Sequence, residues 1–375
     1  MYGLLVRWFS QLRSTGDPLP NLYLLRVSYL RFNSDATNQP SLTVDYLVNS
    51  CGLSPESALK ASKIIDLKTT TKSDSVLALF RNYGFSQPEI SNIISNHPAV
   101  LRADPEKVLN PKIELLCNIG VSGPCLAKIL SRFSNFLSVS LEKELIPSLD
   151  FLKSFVHKNE KIALTLSRLR WNSRLPEIMG PNIEILRNHG VPESSISRLI
   201  ILQPRLLTWK AERFKKIVVE VKEMGLDPKH SSFINAVRTL AGLKKTLWEE
   251  KFAVFQSFGW SEDLILSLFR KQPSIFSISE KGIRERLVYF MNELNWAVGD
   301  LLKRPAVLQY SMEKRILPRY SVLQVLITKD LVKKQSVGGA FLLTEDKFLD
   351  RFVNKYLSKQ PHLLKVYQSV YEEEG

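Results

Sequence analysis

Along most of the chain apolar residues return every three or four positions, as in Ile90, Ile93 and Ile94 or Leu126, Ile129 and Leu130, which places them on one face of a helix. No stretch of strict alternation marks a strand, so the fold class is all-α. Two kinds of punctuation divide the helical stretches. Glycines that follow an apolar run stand at Gly52, Gly84, Gly120, Gly190, Gly225 and Gly259, with spacings of 32, 36, 70, 35 and 34. The spacing of 70 is two periods with Val156 at its midpoint, and Asn295 continues the column. Glycine and asparagine tolerate the left-handed conformation just past a helix end. The second punctuation is a proline fourteen residues after the cap, in His97-Pro98-Ala99-Val100-Leu101, Gln203-Pro204-Arg205-Leu206-Leu207 and Gln272-Pro273-Ser274-Ile275-Phe276. Arg304-Pro305-Ala306-Val307-Leu308 repeats that string in the last unit. Pro111, Pro147 and Pro181 each stand nine residues before the cap column, and Pro318 follows Pro305 by thirteen residues as Pro111 follows Pro98.

A proline at the first helical position gives up an N–H that has no partner there, and a glycine past the last turn closes the helix. Pro111 to Ile119 therefore reads as one short helix closed by Gly120. Ser54-Pro55, Ser86 with Glu89, Ser122, Asp227-Pro228 and Ser261-Glu262 read as N-caps of a second helix, and the Pro-x-x-Leu string as a short 3₁₀ connection. One such pair of about 34 residues cannot bury its own apolar face, whereas stacked pairs share a continuous core. About eight units fill residues 41–335 as a solenoid. Residues 336–375 break the pattern with Gly338-Gly339 as a turn, a helix from Glu345 to about Lys359 and an acidic end at Glu372, Glu373 and Glu374, and read as a terminal cap.

Charge changes the picture more than composition does. The chain holds 52 Lys and Arg against 37 Asp and Glu, a net charge of +15, while its 44% hydrophobic share is ordinary for a folded protein. Residues 1–40 carry Arg7, Arg13, Arg26 and Arg31 against Asp17 and Asp35, interleaved with Trp8, Phe9, Tyr23, Tyr29 and Phe32. Such an acid-poor, Arg-bearing amphipathic segment reads as an organellar transit peptide. It accounts for only +2, so the remaining +13 belongs to residues 41–375 and calls for a polyanionic partner. Cys51, Cys117 and Cys125 form no metal or disulfide pattern, and no apolar run is long enough to span a bilayer.

The cations cluster late in the units: Arg168, Arg170 and Arg174; Arg205, Lys210, Arg213, Lys215 and Lys216; Lys244 and Lys245; Arg270 and Lys271; Lys303 and Arg304; Lys314, Arg315 and Arg319. Units stacked in register bring equivalent positions into one groove, where a column of cations follows a phosphate backbone. Tryptophans at 171, 209, 248, 260 and 296 read chiefly as packing, with Arg170-Trp171 and Trp209-Lys210 as the two pairs placed to stack on bases. Catalysis finds no support. The five histidines, 97, 157, 189, 230 and 362, lack metal-ligand spacing, no phosphate loop or nucleophile elbow occurs, and no cofactor is indicated.

The run Arg304-Pro305-Ala306-Val307-Leu308-Gln309-Tyr310-Ser311-Met312-Glu313-Lys314-Arg315-Ile316-Leu317-Pro318-Arg319-Tyr320 closely resembles the C-terminal hallmark of the mitochondrial transcription termination factor family, mTERF. Leu77-Ala78-Leu79-Phe80-Arg81-Asn82-Tyr83-Gly84-Phe85, followed by Pro98-Ala99-Val100-Leu101, resembles its plant organellar branch, and the likeness runs from about Asp45 to Tyr367. The resemblance implies a right-angled stack of short helix pairs with 3₁₀ connections forming a curved α-solenoid. It also implies an organellar address and nucleic-acid binding on a basic inner surface. Two units depart from the pattern. Residues 151–176 lack the cap glycine and the Pro-x-x-Leu string, and Val237-Arg238-Thr239-Leu240 replaces that string after Gly225.

The sequence thus points to a monomeric, non-enzymatic mitochondrial protein, or alternatively a chloroplast one, that regulates transcription on double-stranded organellar DNA and stays off membranes. The alternatives are an organellar RNA-binding splicing or maturation factor, and a protein-interaction scaffold whose charge serves neither.

Overall fold

The computed structural model describes residues 41–132, 134–169, 174–333 and 337–369. The segment 1–40, Arg170, Trp171 and the acidic end at Glu372–Glu374 lie outside the described residues. Odd-numbered helices open the units and even-numbered helices close them. The first pairs are α1 (Leu42–Asn49) with α2 (Pro55–Ser62), α3 (Thr71–Asn82) with α4 (Gln87–Asn96), and α5 (Asn110–Cys117) with α6 (Gly123–Arg132). Next come α7 (Ile146–Phe155) with α8 (Asn159–Arg168), α9 (Leu175–Asn188) with α10 (Glu193–Leu202), and α11 (Ala211–Glu223) with α12 (Ser231–Gly242). Then follow α13 (Lys245–Gln256) with α14 (Glu262–Lys271), and α15 (Glu280–Leu287) with α16 (Val298–Lys303). Last are α17 (Leu317–Thr328), α18 (Val337–Ala340), α19 (Glu345–Phe348) and α20 (Leu363–Ser369). Among the described residues there is no strand.

The even helices form an unbroken layer in which each packs on the next from α2 to α16. In the odd layer α7 packs on α9, α9 on α11 and α13 on α15. Between the layers lies one continuous core running from Leu47 to Tyr367. The architecture is therefore a helical solenoid whose apolar faces are buried by neighbours in the stack.

The caps obey the glycine ruler. Gly52, Gly84, Gly120, Gly190, Gly225 and Gly259 have φ between +74° and +83°, and Asn295 has φ +55°. Val156 instead ends α7 in extended backbone, because a β-branched residue resists the left-handed region. Asp330, 35 residues after Asn295, also has φ +55° and continues the cap column with a residue that is neither glycine nor asparagine. The Pro-x-x-Leu strings are 3₁₀ turns at Pro98–Arg102, Pro204–Thr208, Pro273–Ser277 and Pro305–Gln309, and Ser134–Leu137 is another without a proline.

Three expectations are corrected. Pro111, Pro147 and Pro318 do not begin their helices, which start six residues earlier in the wide turns Pro105–Leu109, Leu141–Leu145 and Met312–Ile316. There the N–H groups of Asn110, Ile146 and Leu317 bond to carbonyls five residues back, Pro105, Leu141 and Met312. This π-type opening just ahead of the proline relieves the clash its ring makes with the preceding turn, and Pro181 likewise sits inside α9. Asp227 caps a tight turn, accepting from Lys229 N at 2.9 Å, and α12 begins only at Ser231. Gly338 and Gly339 lie within α18 rather than in a turn, and a Cβ on Gly338 would come within 3.0 Å of Arg304 Nε.

A polar column, buried for most of its length, recurs through the odd layer at Thr43, Ser73, Lys112, Ser148, Asn182, Lys251, Arg286 and Arg319. Each ties its helix to the segment that closes the unit. Ser73 donates to Leu101 O (3.2 Å), Lys112 to Leu137 O (2.6 Å) and Asn182 to Leu207 O and Trp209 O (2.9 and 2.7 Å). Lys251 donates to Ile278 O (2.5 Å), Arg286 to Tyr310 O (3.2 Å) and Arg319 to Leu343 O (2.6 Å). Thr43 and Ser148 do the reverse, accepting from Leu67 N and Leu175 N. Among the described residues α11 lacks such a peg although its neighbours α9 and α13 carry one, and no 3₁₀ connector follows α12.

Candidate nucleic-acid interface

Charge is arranged along the even helices by a local rule. Their first turns hold Glu56, Glu89, Glu160, Glu193, Glu262 and Asp300, and their last turns hold Lys60, Arg132, Arg168, Arg270, Lys271 and Lys303. Each sign complements the helix dipole at its end. The ends of successive even helices touch, Arg168 Nη1 donating to Ile201 O at 2.9 Å and Lys271 Nζ to Leu302 O at 3.0 Å, and Gln272 Nε2 donates to Gln309 Oε1 of the following connector at 2.5 Å. A local preference repeated in register thus becomes a basic strip, made of the even-helix ends, the connectors and the starts of the odd helices.

Most of the expected residues lie on that strip. Arg205 donates from Nε to Arg168 O at 2.7 Å, and Arg213 stacks on Trp209 with its guanidinium 3.7 Å from the ring centre. Lys210, Lys215, Lys216, Lys244, Lys245 and Lys303 are exposed, and Arg304 lies half-buried across Gly338. Arg174 is exposed in left-handed backbone just before α9. Among the described residues no carboxylate pairs with Arg168, Arg205, Lys210, Arg213, Lys215, Lys216, Lys244, Lys271 or Lys303, and only Lys245 has a distant partner, Glu249 at 4.0 Å. Arg187, at the opposite end of an odd helix, is neutralised by Glu184 at 2.6 Å and Glu193 at 2.7 Å.

Three of the expected residues fall elsewhere. Arg319 is fully buried, with its guanidinium spent on the carbonyls of Ala340, Phe341 and Leu343, on Glu345 at 2.9 Å and on the face of Phe348. It is withdrawn from the interface: an arginine with no exposed surface cannot reach a phosphate. Arg315 is half-buried beside it, donating to Phe341 O and Leu343 O and stacking on Tyr310. Arg270 reaches back along α14 to Met224 O, away from the strip. Trp260 is buried and Trp248 and Trp296 pack against Phe276 and Phe290, which leaves Trp209, among the described tryptophans, as the ring on the strip.

The structure also adds Arg198 and Arg238. Burial first, and then the positive charges of Arg198 and Arg168, push the Arg238 pKa down, so three guanidiniums share one neighbourhood in which no carboxylate of the described residues pairs with them. Arginine stays protonated even so, and an anion would relieve the repulsion. Beside them a cleft of about 470 Å³ opens where the unit after Gly225 lacks its connector, lined by Gln203, Asn235, Arg238, Thr239, Ser274 and Ser277 among others. The signal for this column lay in the glycine period itself, since Arg132, Arg168, Arg238, Lys271 and Lys303 are spaced by 36, 70, 33 and 32.

His97 and His189 sit at helix ends, His97 Nε2 against Ser138 Oγ and His189 Nδ1 2.8 Å from Ile185 O. Among the described residues no three His, Cys, Asp or Glu side chains are grouped to hold a metal ion, and no helix is long and apolar enough to cross a membrane.

The mTERF family profile matches residues 77–286 and, overlapping, 221–349, which together cover nearly three quarters of the chain. Over 231 residues, 61% of its length, the chain is 22% identical to the chloroplastic transcription termination factor MTERF8 of Arabidopsis thaliana. The matched region spans 46% of that protein, so the two are comparable over about half the relative's length.

Proposed function

We propose, since this chain belongs to the mTERF family, that it is an organellar nucleic-acid-binding protein that regulates transcription, termination included, by holding double-stranded DNA along the basic strip. The observation that carries this reading is the set of strip cations, among them Arg168, Arg205, Lys210, Arg213, Lys271 and Lys303, that no carboxylate of the described residues neutralises, three of them anchored by a hydrogen bond to a neighbouring carbonyl. Anchoring fixes where the charge sits and reduces what is lost on ordering long side chains. Contacts of this kind position a polyanion without reading its sequence. The role is binding, with no reaction assigned to it.

Neutralising phosphates releases counterions, so affinity for duplex DNA is expected to fall on a log–log plot with a slope of about −0.9 per phosphate contacted. Fluorescence polarisation of a labelled duplex across a salt series measures that slope, and a flat response removes the reading. Trp209 under Arg213 is a stacking plane that supports a second one, structured or unpaired RNA. Competition between duplex DNA and intron RNA at fixed salt separates the two.

The organellar address rests on the acid-poor residues 1–40 and on the chloroplastic relative. Import of a fluorescent fusion into isolated mitochondria and chloroplasts decides between the compartments.

A further inference from the structure

The close packing that joins α9 to α11 and α13 to α15 lapses between α11 and α13. Here the unit after Gly225 has no 3₁₀ connector, and α12 passes to α13 through Leu243 and Lys244 alone. On the side away from the three-arginine cluster the lapse leaves an open groove of about 660 Å³. Its floor is the half-buried Met224, Trp248, Phe252 and Leu266, and its walls carry Glu220, Glu223, Glu249 and Glu262 against the single cation Lys245. Arg270 closes one end through its bond to Met224 O.

Two features set this groove apart in a chain of net charge +15. Glu220 and Glu223 occupy the last turn of α11, flanking Lys222, where the helix dipole disfavours a negative charge, although Arg81, Lys153 and Arg187 show that odd helices elsewhere favour cations there. Among the described residues neither carboxylate has an ion-pair partner. The aromatic floor is likewise left open although Trp248 is already stacked on Phe276 beneath it. Acids on the walls repel nucleic acid and attract cations, and apolar rings between them take up aliphatic side chains.

We infer that this groove is a docking site for another protein, specifically for a peptide segment that carries Lys or Arg on either side of apolar side chains. The groove and the Arg238 cleft lie on opposite faces of α13, lined by Trp248, Glu249 and Phe252 on one side and by Leu247 and Lys251 on the other, so a partner seated there leaves the Arg168–Arg198–Arg238 neighbourhood open to a nucleic acid, and Lys245 alone belongs to both groove and strip.

The test uses the full chain and two labelled sixteen-residue peptides of equal charge, one of Leu and Lys in helical amphipathic order and one with every Leu replaced by Ser. Polarisation is expected to show saturable binding of the Leu-Lys peptide and at least about tenfold weaker binding of the Ser-Lys peptide. Glu220→Lys/Glu223→Lys/Glu249→Lys should weaken the Leu-Lys peptide about tenfold or more. Glu142→Lys/Glu177→Lys/Glu293→Lys, which makes the same charge change elsewhere on exposed positions, should leave it within about twofold. Circular dichroism checks the fold, and the Gln triple at 220, 223 and 249 serves if the Lys triple unfolds. Absence of binding, equal binding of the two peptides, or equal loss in the two triples overturns the inference. DNA affinity measured on the same variants reports separately on the strip.

Discussion

Arg319 Nη2 lies 2.9 Å from Glu345 Oε2, and through that pair α17 grips α19 in the segment that follows the solenoid. The guanidinium has no exposed surface and also satisfies the carbonyls of Ala340, Phe341 and Leu343. Removing one member of a buried, hydrogen-bonded ion pair leaves the other groups without a partner. Arg319→Met is therefore expected to destabilise the protein by about 3 kcal/mol, the lower end of the usual range because Glu345 is half exposed and regains water. Denaturant unfolding measures this. DNA affinity of the folded fraction should stay unchanged; a drop in affinity without a drop in stability would return Arg319 to the interface.

Lys251 holds the same place two units earlier, donating to Ile278 O and pairing with Glu280 at 3.2 Å, and Asn182 bridges the carbonyls of Leu207 and Trp209. An unsatisfied buried acceptor costs about 1–3 kcal/mol. Asn182→Leu, which keeps the heavy-atom count and branching but cannot donate, should lower stability by about 2 kcal/mol, and Lys251→Met by a similar amount. The more telling outcome is local. Hydrogen exchange should accelerate in the connector each residue anchors, Pro204–Thr208 or Pro273–Ser277, and much less in distant units, because stacked repeats couple mainly to their neighbours.

His97 gives the fold a pH dependence of definite sign. Burial, and then the charge of Lys112, push its pKa below the ordinary 6.5. Between the folded and unfolded values the unfolded chain binds the extra proton, so stability is lost as pH falls below about 6.5. One proton limits the slope to about 1.4 kcal/mol per pH unit. Carboxylates held low in the folded state, such as Glu280 and Glu313, start from 4.5 and act only in more acidic solution. Urea midpoints measured between pH 7.0 and 5.5 should therefore fall in the parent protein, and His97→Gln should flatten the trend.

How much of this was legible in the chain depends on whether the signal was local. A left-handed cap is set by one residue, so Gly84 or Asn295 could be recognised alone, whereas Asp330 escaped because aspartate is uncommon there. The π-type turns ahead of Pro111, Pro147 and Pro318 have no composition of their own, and the prolines looked like helix starts although Asp104, Ser140 and Ser311 are the caps. The peg column was invisible because Ser73, Lys112, Asn182 and Arg319 share a position and a bonding role but no residue type. For the interface, residue type identified the cations. It did not distinguish Lys271 at a helix end from Arg319 one turn into a helix whose start is covered by the following segment.

That distinction supplies the sharpest check on the strip. Lys271 and Lys303 are exposed cations without a carboxylate, while Arg187 is exposed to a similar degree and tied to two. If the strip follows a phosphate backbone, Lys271→Gln/Lys303→Gln should reduce the magnitude of the log–log salt slope by about 1.8, about 0.9 for each phosphate no longer neutralised, and weaken binding similarly across unrelated duplex sequences. Arg187→Gln should leave the slope where it was, since its charge is already neutralised within the protein. Equal effects from the two sets would mean that affinity follows net charge alone, and the strip would then have no special role.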